Sequence, residues 1–217
     1  MKINTILLIA FLAITVNVRA QNVLVPETKI TGMLVTDGHF DGAEWKGATE
    51  VTLSKPDSVY LYLKNYKNCV LLGIKIPFKM LAYIDMFVDY GEGYIQHFHS
   101  SSQIGERILT DTTWTDALPA THWGNAVDWY ANEMRNDKLK AQELLKKDPN
   151  RNRDIMLLET TYPMDGYEYI FNRKRFSSKK WKVRIEVRAT MPEFSTVTYP
   201  ANSKRKNSDG WMLIDFK

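Results

Sequence analysis

Cysteine, glycosylation signals and long apolar runs are scarce in this chain of 217 residues. Cys69 is the single cysteine, so no internal disulfide can form and an ordinary hydrophobic core must stabilise the fold. No Asn-x-Ser/Thr acceptor for N-glycosylation occurs. Because Cys69 stands in the apolar segment CVLLGIKI, we interpret it as a small buried hydrophobe and not as a nucleophile.

An excess of one charge is also missing, since the formal net charge is only +4. Such a mild balance argues against nucleic acid as a partner, and the short basic runs at 173–175 and 204–206 are typical of solvated loops. The sequence has no phosphate loop, dinucleotide fingerprint, Gly-x-Ser-x-Gly elbow or His-Glu-x-x-His motif. The usual signatures of nucleotide-dependent enzymes, α/β hydrolases and zinc proteases are therefore absent.

The first twenty residues have the pattern of a secretory signal peptide. Lys2 precedes the apolar run 6–16, and the small-x-small pattern Val18-Arg19-Ala20 ends the segment. The run is too short for a bilayer, which needs about twenty residues. The sequence predicts cleavage after residue 20, a single mature domain over 21–217 without a transmembrane segment, and export to the periplasm or the medium.

Most of the mature chain has the short apolar or alternating pattern of β-strands. The clearest alternation places Ile84, Met86 and Val88 against Asp85, Phe87 and Asp89. Few helical patterns interrupt the strands, so we predict a mainly all-β fold, an antiparallel β-sandwich or jelly-roll. The predicted strands cover 59–63, 69–76, a hairpin over 83–99, 155–161, 166–172, 183–187 and 211–216.

Residues 112–153 break this pattern and are predicted to form a long insertion of loop plus short helix. Asp137 can cap a helix over 138–147, whose Leu139, Leu144 and Leu145 we expect to face inward. Long insertions in compact domains tend to carry function.

An entry motif, TDGHFDGAEW, covers residues 36–45. Asp37-Gly38 is a turn pair, and Asp41 with Glu44 forms a capping box for one helical turn. This geometry would fix the direction of Trp45, which we interpret as a packing anchor at the edge of the domain.

This motif is the first part of a pattern that resembles a known family. The pattern Asp-Gly-x-x-Asp-x-x-Glu-Trp is followed by VYLYLKN, LLGIKI and IDMFVDYGEG. This order resembles the family-nine carbohydrate-binding modules and their DOMON-like relatives, over roughly residues 30–100 and more loosely over 183–216. The resemblance implies a β-sandwich. It assigns no binding residue, because the family's sugar-binding aromatics lie in loops that do not align here.

The insertion contains a candidate sugar-binding surface within residues 112–130. Three of the six tryptophans fall within sixteen residues, and sugar recognition combines aromatic faces with planar polar groups. The alternative is that these rings pack the insertion against the sandwich. The candidate aromatic residues are Trp114, Trp123, Trp129 and Tyr130, and the candidate polar residues are Asp116, His122, Asn125 and Asp128.

His97 and His99 form a second constellation, because residues i and i+2 of a strand point to one side. With Asp85 or Asp89 as a carboxylate from the partnering strand, and with His122 as a further ligand, they are candidates for a divalent metal site. The alternative is a solvated histidine pair, and we expect no cofactor. Ser100 to Ser102 beside His99 are not predicted to form a triad, because proximity in sequence does not give triad geometry.

The sequence therefore favours an exported, non-catalytic protein that binds a carbohydrate or polysaccharide through the 112–130 loop. Two alternatives stay open. One is a small glycan-active hydrolase or lyase, with or without a metal, that uses His97, His99 and nearby acids. The other is a module that binds another envelope protein through its aromatic loop.

Overall fold

The structure is a computed structural model. The predicted leader over 1–20 and the segment 115–125 lie outside the residues that it describes. The described residues are 21–29, 34–40, 43–77, 81–111, 113–114, 126–191 and 193–217.

Within these ranges the chain forms thirteen strands, two α-helices and one 3-10 turn at Ala43–Trp45. The helices are α1 (Lys138–Lys147) and α2 (Arg153–Thr160). The strands are β1 (Asn22–Val25), β2 (Thr49–Ser54), β3 (Val59–Asn65), β4 (Cys69–Lys75), β5 (Leu81–Asp89), β6 (Tyr94–Ser100), β7 (Ile104–Thr110), β8 (Thr113–Trp114), β9 (Trp129–Ala131), β10 (Gly166–Asn172), β11 (Lys180–Met191), β12 (Ser195–Tyr199) and β13 (Met212–Phe216).

Two sheets enclose the hydrophobic core. The larger sheet has the order β1-β13-β11-β5-β6-β7-β8, with β12 also paired to β11, and the smaller has the order β2-β3-β4-β10-β9. The prediction of an all-β sandwich with a small helical insertion is confirmed. The pairing is antiparallel except between β1 and β13, which run parallel.

Strand β4 is buried on both faces, as its continuous apolar sequence predicts. Val70 and Leu72 point into the core between the sheets, whereas Cys69 and Leu71 belong to a second cluster with Trp45. Cys69 is a free, buried thiol, which confirms its interpretation as a small hydrophobe.

The alternation in β5 is confirmed, because Ile84 and Met86 enter the core while Asp85 and Phe87 point away from the smaller sheet. We call the side of the larger sheet that carries Asp85 and Phe87 the outer face. Phe87 is fully buried there, so the outer face is covered as well.

Strand β11 alternates as predicted, but its polar side is not solvated. Arg184 and Glu186 lie on the outer face and are at most 5% exposed. Glu186 forms ion pairs with Arg184, Arg188 and Arg205. Buried charges persist only when they are paired, and this pairing explains why a charged strand can be covered.

The helical insertion differs from the prediction in two ways. Residues predicted as a strand over 155–161 form most of α2 instead, because Asn152 caps the helix by accepting hydrogen bonds from the Asp154 and Ile155 amides. Asp137 caps α1 as predicted, but α1 buries no residue, and Leu139 is 74% exposed.

Gly73 of β4 provides a test of how the entry motif packs. A Cβ atom at this position would lie 2.5 Å from the Phe40 ring and 2.7 Å from the Trp45 ring. Since edge atoms of both rings occupy the space that a Cβ atom would fill, Gly73→Ala should lower the free energy of unfolding by about 1–3 kcal/mol in urea titration. Leu139→Ala on exposed α1 is the control and should change it by less than about 0.5 kcal/mol. An unchanged midpoint for Gly73→Ala would show that the rings do not pack there.

Candidate functional site

A groove with a volume of about 390 Å³ opens at the β9 edge of the smaller sheet. Three separate segments line it: the loop before the 3-10 turn, the chain at and after β9, and the chain after α2. The lining residues are Thr36, Asp37, His39, Tyr130, Asn132, Glu133, Arg135, Tyr162, Pro163 and Met164.

Two tyrosine rings are exposed in this groove. Trp129 and Ala131 of β9 are buried, so the alternation of the strand turns Tyr130 outward, and it is 42% exposed. Tyr162 is 54% exposed. The Tyr162 amide donates to the Arg135 carbonyl at 2.9 Å, which ties two of the groove's segments together.

Asn132 fixes the groove to strand β10. Its side chain is buried, donates to the Gly166 carbonyl at 3.1 Å and accepts from the Glu168 amide at 2.6 Å. Gly38 approaches from the other wall and accepts from the Asp165 amide at 2.6 Å. A Cβ atom on Gly38 would lie 2.7 Å from the Asn132 side-chain nitrogen, and φ is +86°, so this position requires glycine.

The carboxylate of Glu168 is buried behind the groove. One of its oxygens accepts from the Gly38 amide and the other from the Trp45 indole N–H, each at 2.7 Å. Burial raises the pKa of Glu168 to about 7, and the negative charges of Asp37 and Glu44 add to this effect, whereas the two hydrogen bonds oppose it. Glu168 thus joins the entry motif to β10 at the back of the groove.

The rim of the groove carries charges of both signs. The His39 ring nitrogen lies 3.6 Å from the Asp165 carboxylate, and Asp37 accepts from the His39 amide at 2.9 Å. Arg135 and Glu133 line the opposite side. Such planar donors and acceptors around two aromatic rings can satisfy the hydroxyl groups of a polar ligand.

The structure separates the aromatic residues that the sequence predicts as one surface. Trp129 is only 5% exposed, packs edge-on against Phe98 and donates from its indole to Glu106 at 2.8 Å. Its ring face is therefore closed to a ligand, which corrects the prediction for this residue. Trp114 lies half-buried on the outer face, 5.4 Å from the His97 ring, whereas Tyr130 lines the groove.

The predicted polar residues are only partly described. Asp128 is exposed and has a positive φ of 58°, and its carbonyl accepts from the Asn172 amide at 2.8 Å. It does not line the groove. The remaining four predicted site residues lie outside the described residues and stay predictions: Asp116, His122, Trp123 and Asn125.

His97 and His99 converge on Asp85 instead of Asp89. Their ring nitrogens lie 2.8 Å and 2.9 Å from the same Asp85 oxygen. The other nitrogen of His97 accepts from Arg107 at 3.0 Å. Asp89 instead accepts from the Gly91 amide at 2.7 Å. Of the two carboxylates that the sequence offers as partners, the structure therefore brings Asp85 to the histidines and not Asp89. Among the described residues, no group of three or more His, Cys, Asp or Glu side chains could hold a metal.

Electrostatics differ between Asp85 and His97. Burial disfavours the ionised carboxylate, but hydrogen bonds from His97 and His99 outweigh burial and hold the pKa of Asp85 below its usual value. Burial lowers the pKa of His97, against the effect of Asp85. Asp85 is therefore a carboxylate and His97 a neutral imidazole at neutral pH.

The raised pKa of Glu168 predicts how stability depends on pH. The folded chain binds this proton more tightly than the unfolded chain, whose value is near 4.5. The contribution of Glu168 to the free energy of unfolding should therefore fall by about 3 kcal/mol as pH rises from 4.5 to 7. Urea titrations of the wild type and of Glu168→Gln across this range should show the effect, because only the wild type should lose stability through this group as pH rises. Exposed Glu143→Gln serves as the control and should keep the wild-type slope. Parallel curves for wild type and Glu168→Gln would contradict the assignment.

Comparisons with known proteins show the fold. No family model and no curated protein matches the chain. A solved family 9 carbohydrate-binding module from Caldicellulosiruptor kristjanssonii, in complex with cellotriose, is 11% identical with a TM-score of 0.48, over 91% of this chain and 94% of that chain. A protein from Bacteroides uniformis ATCC 8492, provisionally described as carbohydrate-binding, is 10% identical with a TM-score of 0.50, over 91% and 100%. The chain therefore shares a β-sandwich fold with the second protein, in agreement with the fold that the sequence resemblance implies.

Proposed function

We propose that this protein binds a carbohydrate in the groove at the β9 edge. The observation that carries the proposal is the pair of exposed rings, Tyr130 and Tyr162, in one concave site. A sugar ring has an apolar face that packs on an aromatic ring, and a rim of hydroxyl groups that needs donors and acceptors. The groove offers both.

The size and the rigidity of the groove fit this proposal. Its volume of about 390 Å³ falls within the range of about 300–1,000 Å³ that is usual for small-ligand sites. Asn132 and Gly38 are fixed by buried hydrogen bonds, so the walls are already in place before a ligand arrives. A preformed site avoids much of the entropy that binding would otherwise lose.

The fold gives further support. The Bacteroides uniformis protein that shares it is provisionally described as carbohydrate-binding. The groove is proposed to bind without catalysis. It differs from the surface predicted over residues 112–130, and only Tyr130 belongs to both. We further propose that the protein is exported, because residues 1–20 have the pattern of a signal peptide.

Replacement of the two rings tests the groove. We expect Tyr130→Ala and Tyr162→Ala each to weaken oligosaccharide binding by at least about tenfold, because each removes a stacking face, with little change in melting temperature. A glycan array should identify the ligand, and isothermal titration calorimetry should measure the affinities. Leu24→Ala removes a 57% exposed apolar side chain of β1, outside the groove, and is the control that should keep the wild-type affinity.

Three outcomes would contradict the groove assignment or carbohydrate binding itself. Unchanged affinity in both tyrosine variants would exclude the groove as the site. Loss of binding in Trp123→Ala, with binding retained in the tyrosine variants, would place the ligand on the 112–125 segment instead. Absence of any ligand on the array would contradict carbohydrate binding itself.

Export has a separate test. When the full chain is expressed in a bacterial host, intact-mass analysis of the periplasmic or secreted fraction should give a protein that begins at Gln21, because the small-x-small pattern places cleavage after Ala20. Ala20→Arg should block cleavage, since the enzyme that removes such leaders accepts small residues at this position. Recovery of only uncleaved cytoplasmic protein would contradict the proposal.

A further inference from the structure

A line of hydrogen bonds on the outer face joins a serine, a histidine and an aspartate. The Ser101 hydroxyl lies 3.0 Å from Nε2 of His99, and Nδ1 of His99 lies 2.9 Å from an oxygen of Asp85. The carboxylate thus faces one ring nitrogen and the hydroxyl faces the other. This order of groups is the one that activates a serine nucleophile.

The positions of the protons follow from the neighbours. Arg107 can only donate, so Nδ1 of His97 must accept from it, and the proton of His97 lies on Nε2 and points to Asp85. Asp85 is ionised and can only accept, so Nδ1 of His99 must also carry a proton. In the neutral form of the ring, the lone pair on Nε2 of His99 then faces the Ser101 hydroxyl, where a general base is needed.

The turn that follows β6 holds Ser101 in place. Its hydroxyl oxygen accepts from the Gln103 amide at 3.2 Å. The hydroxyl can donate to the Gln103 carbonyl at 3.3 Å or to Nε2 of His99, which is closer at 3.0 Å. Ser101 is half-buried, and its neighbour Ser102 is exposed. The hydroxyl is thus fixed beside its base at the edge of the covered outer face.

A cavity of about 380 Å³ lies on the same face of the sheet. Tyr83, whose ring centroid is 5.6 Å from that of His99, lines this cavity together with Arg188 and Phe194. Arg188 brings a positive charge, with its Nε 3.8 Å from the second oxygen of Asp85. The same guanidinium pairs with Glu186 at 2.6 Å, which fixes this wall of the cavity.

We propose that Ser101 and His99 hydrolyse carboxylic esters, with Asp85 as a positioning residue. The Ser101 oxygen attacks the ester carbonyl while His99 takes its proton. The tetrahedral intermediate then expels the alcohol, which receives that proton from His99, and leaves an acyl group on Ser101. Water, deprotonated by His99, attacks this acyl-serine and releases the carboxylic acid and free Ser101. No further reactant is needed.

The proposed carbohydrate site indicates the class of ester. The Ser101 carbonyl accepts from the Met134 amide at 2.9 Å, and Glu133 and Arg135 on either side of Met134 line the sugar-binding groove. An acylated sugar contains both the sugar ring that the groove would bind and the ester bond that Ser101 would attack. This substrate class rests on the proposed function, whereas ester hydrolysis itself does not.

Activity assays on the full chain test the inference. We expect the wild type to hydrolyse p-nitrophenyl acetate, and a fluorophosphonate probe to label Ser101 in peptide mass spectrometry. Ser101→Ala should abolish labelling and lower the rate by about 100-fold or more, as should His99→Gln. Ser102→Ala, one residue away and exposed, should keep both signals. Melting temperatures of all variants verify that each is folded.

Three outcomes would overturn the proposal or its substrate class. Ester hydrolysis is overturned if wild type is neither labelled nor active, or if Ser101→Ala keeps the wild-type rate. If wild type cleaves the aryl ester but leaves acetylated oligosaccharides intact, the class of acylated sugars is overturned while ester hydrolysis stands. Because the aryl ester carries no sugar, its cleavage does not depend on the carbohydrate site.

Discussion

The walls of the groove meet at the buried carboxylate of Glu168, whose two hydrogen bonds hold the entry loop and the Trp45 ring against strand β10. Burial of a carboxylate is unfavourable unless both oxygens find donors, so Gly38 and Trp45 must lie where they do. The outer face of the larger sheet follows the same rule, with Asp85 held between two histidines and Glu186 among three arginines. Both polar regions of this sandwich are therefore shaped by the need to give buried carboxyl groups partners, which are neutral donors at Glu168 and histidine or arginine side chains on the outer face.

Local pattern was enough to predict much of the fold. The alternation of apolar and polar residues in β5 and the continuous apolar run of β4 follow from which faces of each strand are buried, and both patterns can be recognised in the sequence. The sequence does not predict helix α2 because residues 155–161 form a short apolar run, and such a run occurs in both strands and helices. The cap at Asn152 decides for the helix. The sequence does not predict that the polar side of β11 is buried, because Arg205, an ion-pair partner of Glu186 on that strand, is remote in sequence.

The candidate site was much less predictable. Its groove draws on three segments far apart in the chain, and no local signal joins Asp37, Tyr130 and Tyr162. Clustering of aromatic residues in sequence does not separate Trp129 from Tyr130, because β9 turns Trp129 into the core and Tyr130 outward. The link from His99 to Ser101 was likewise invisible, because sequence proximity alone does not reveal that Asp85 on the neighbouring strand completes it.

Binding of a carbohydrate between Tyr130 and Tyr162 can be observed by nuclear magnetic resonance, in a titration of the ¹⁵N-labelled protein with an oligosaccharide that the glycan array identifies. The largest amide shifts should fall on the loop around Gly38, on β9 and on the chain at Tyr162. Shifts confined to the outer face around Trp114, or to residues 115–125, with the amide of Tyr130 unmoved, would contradict it.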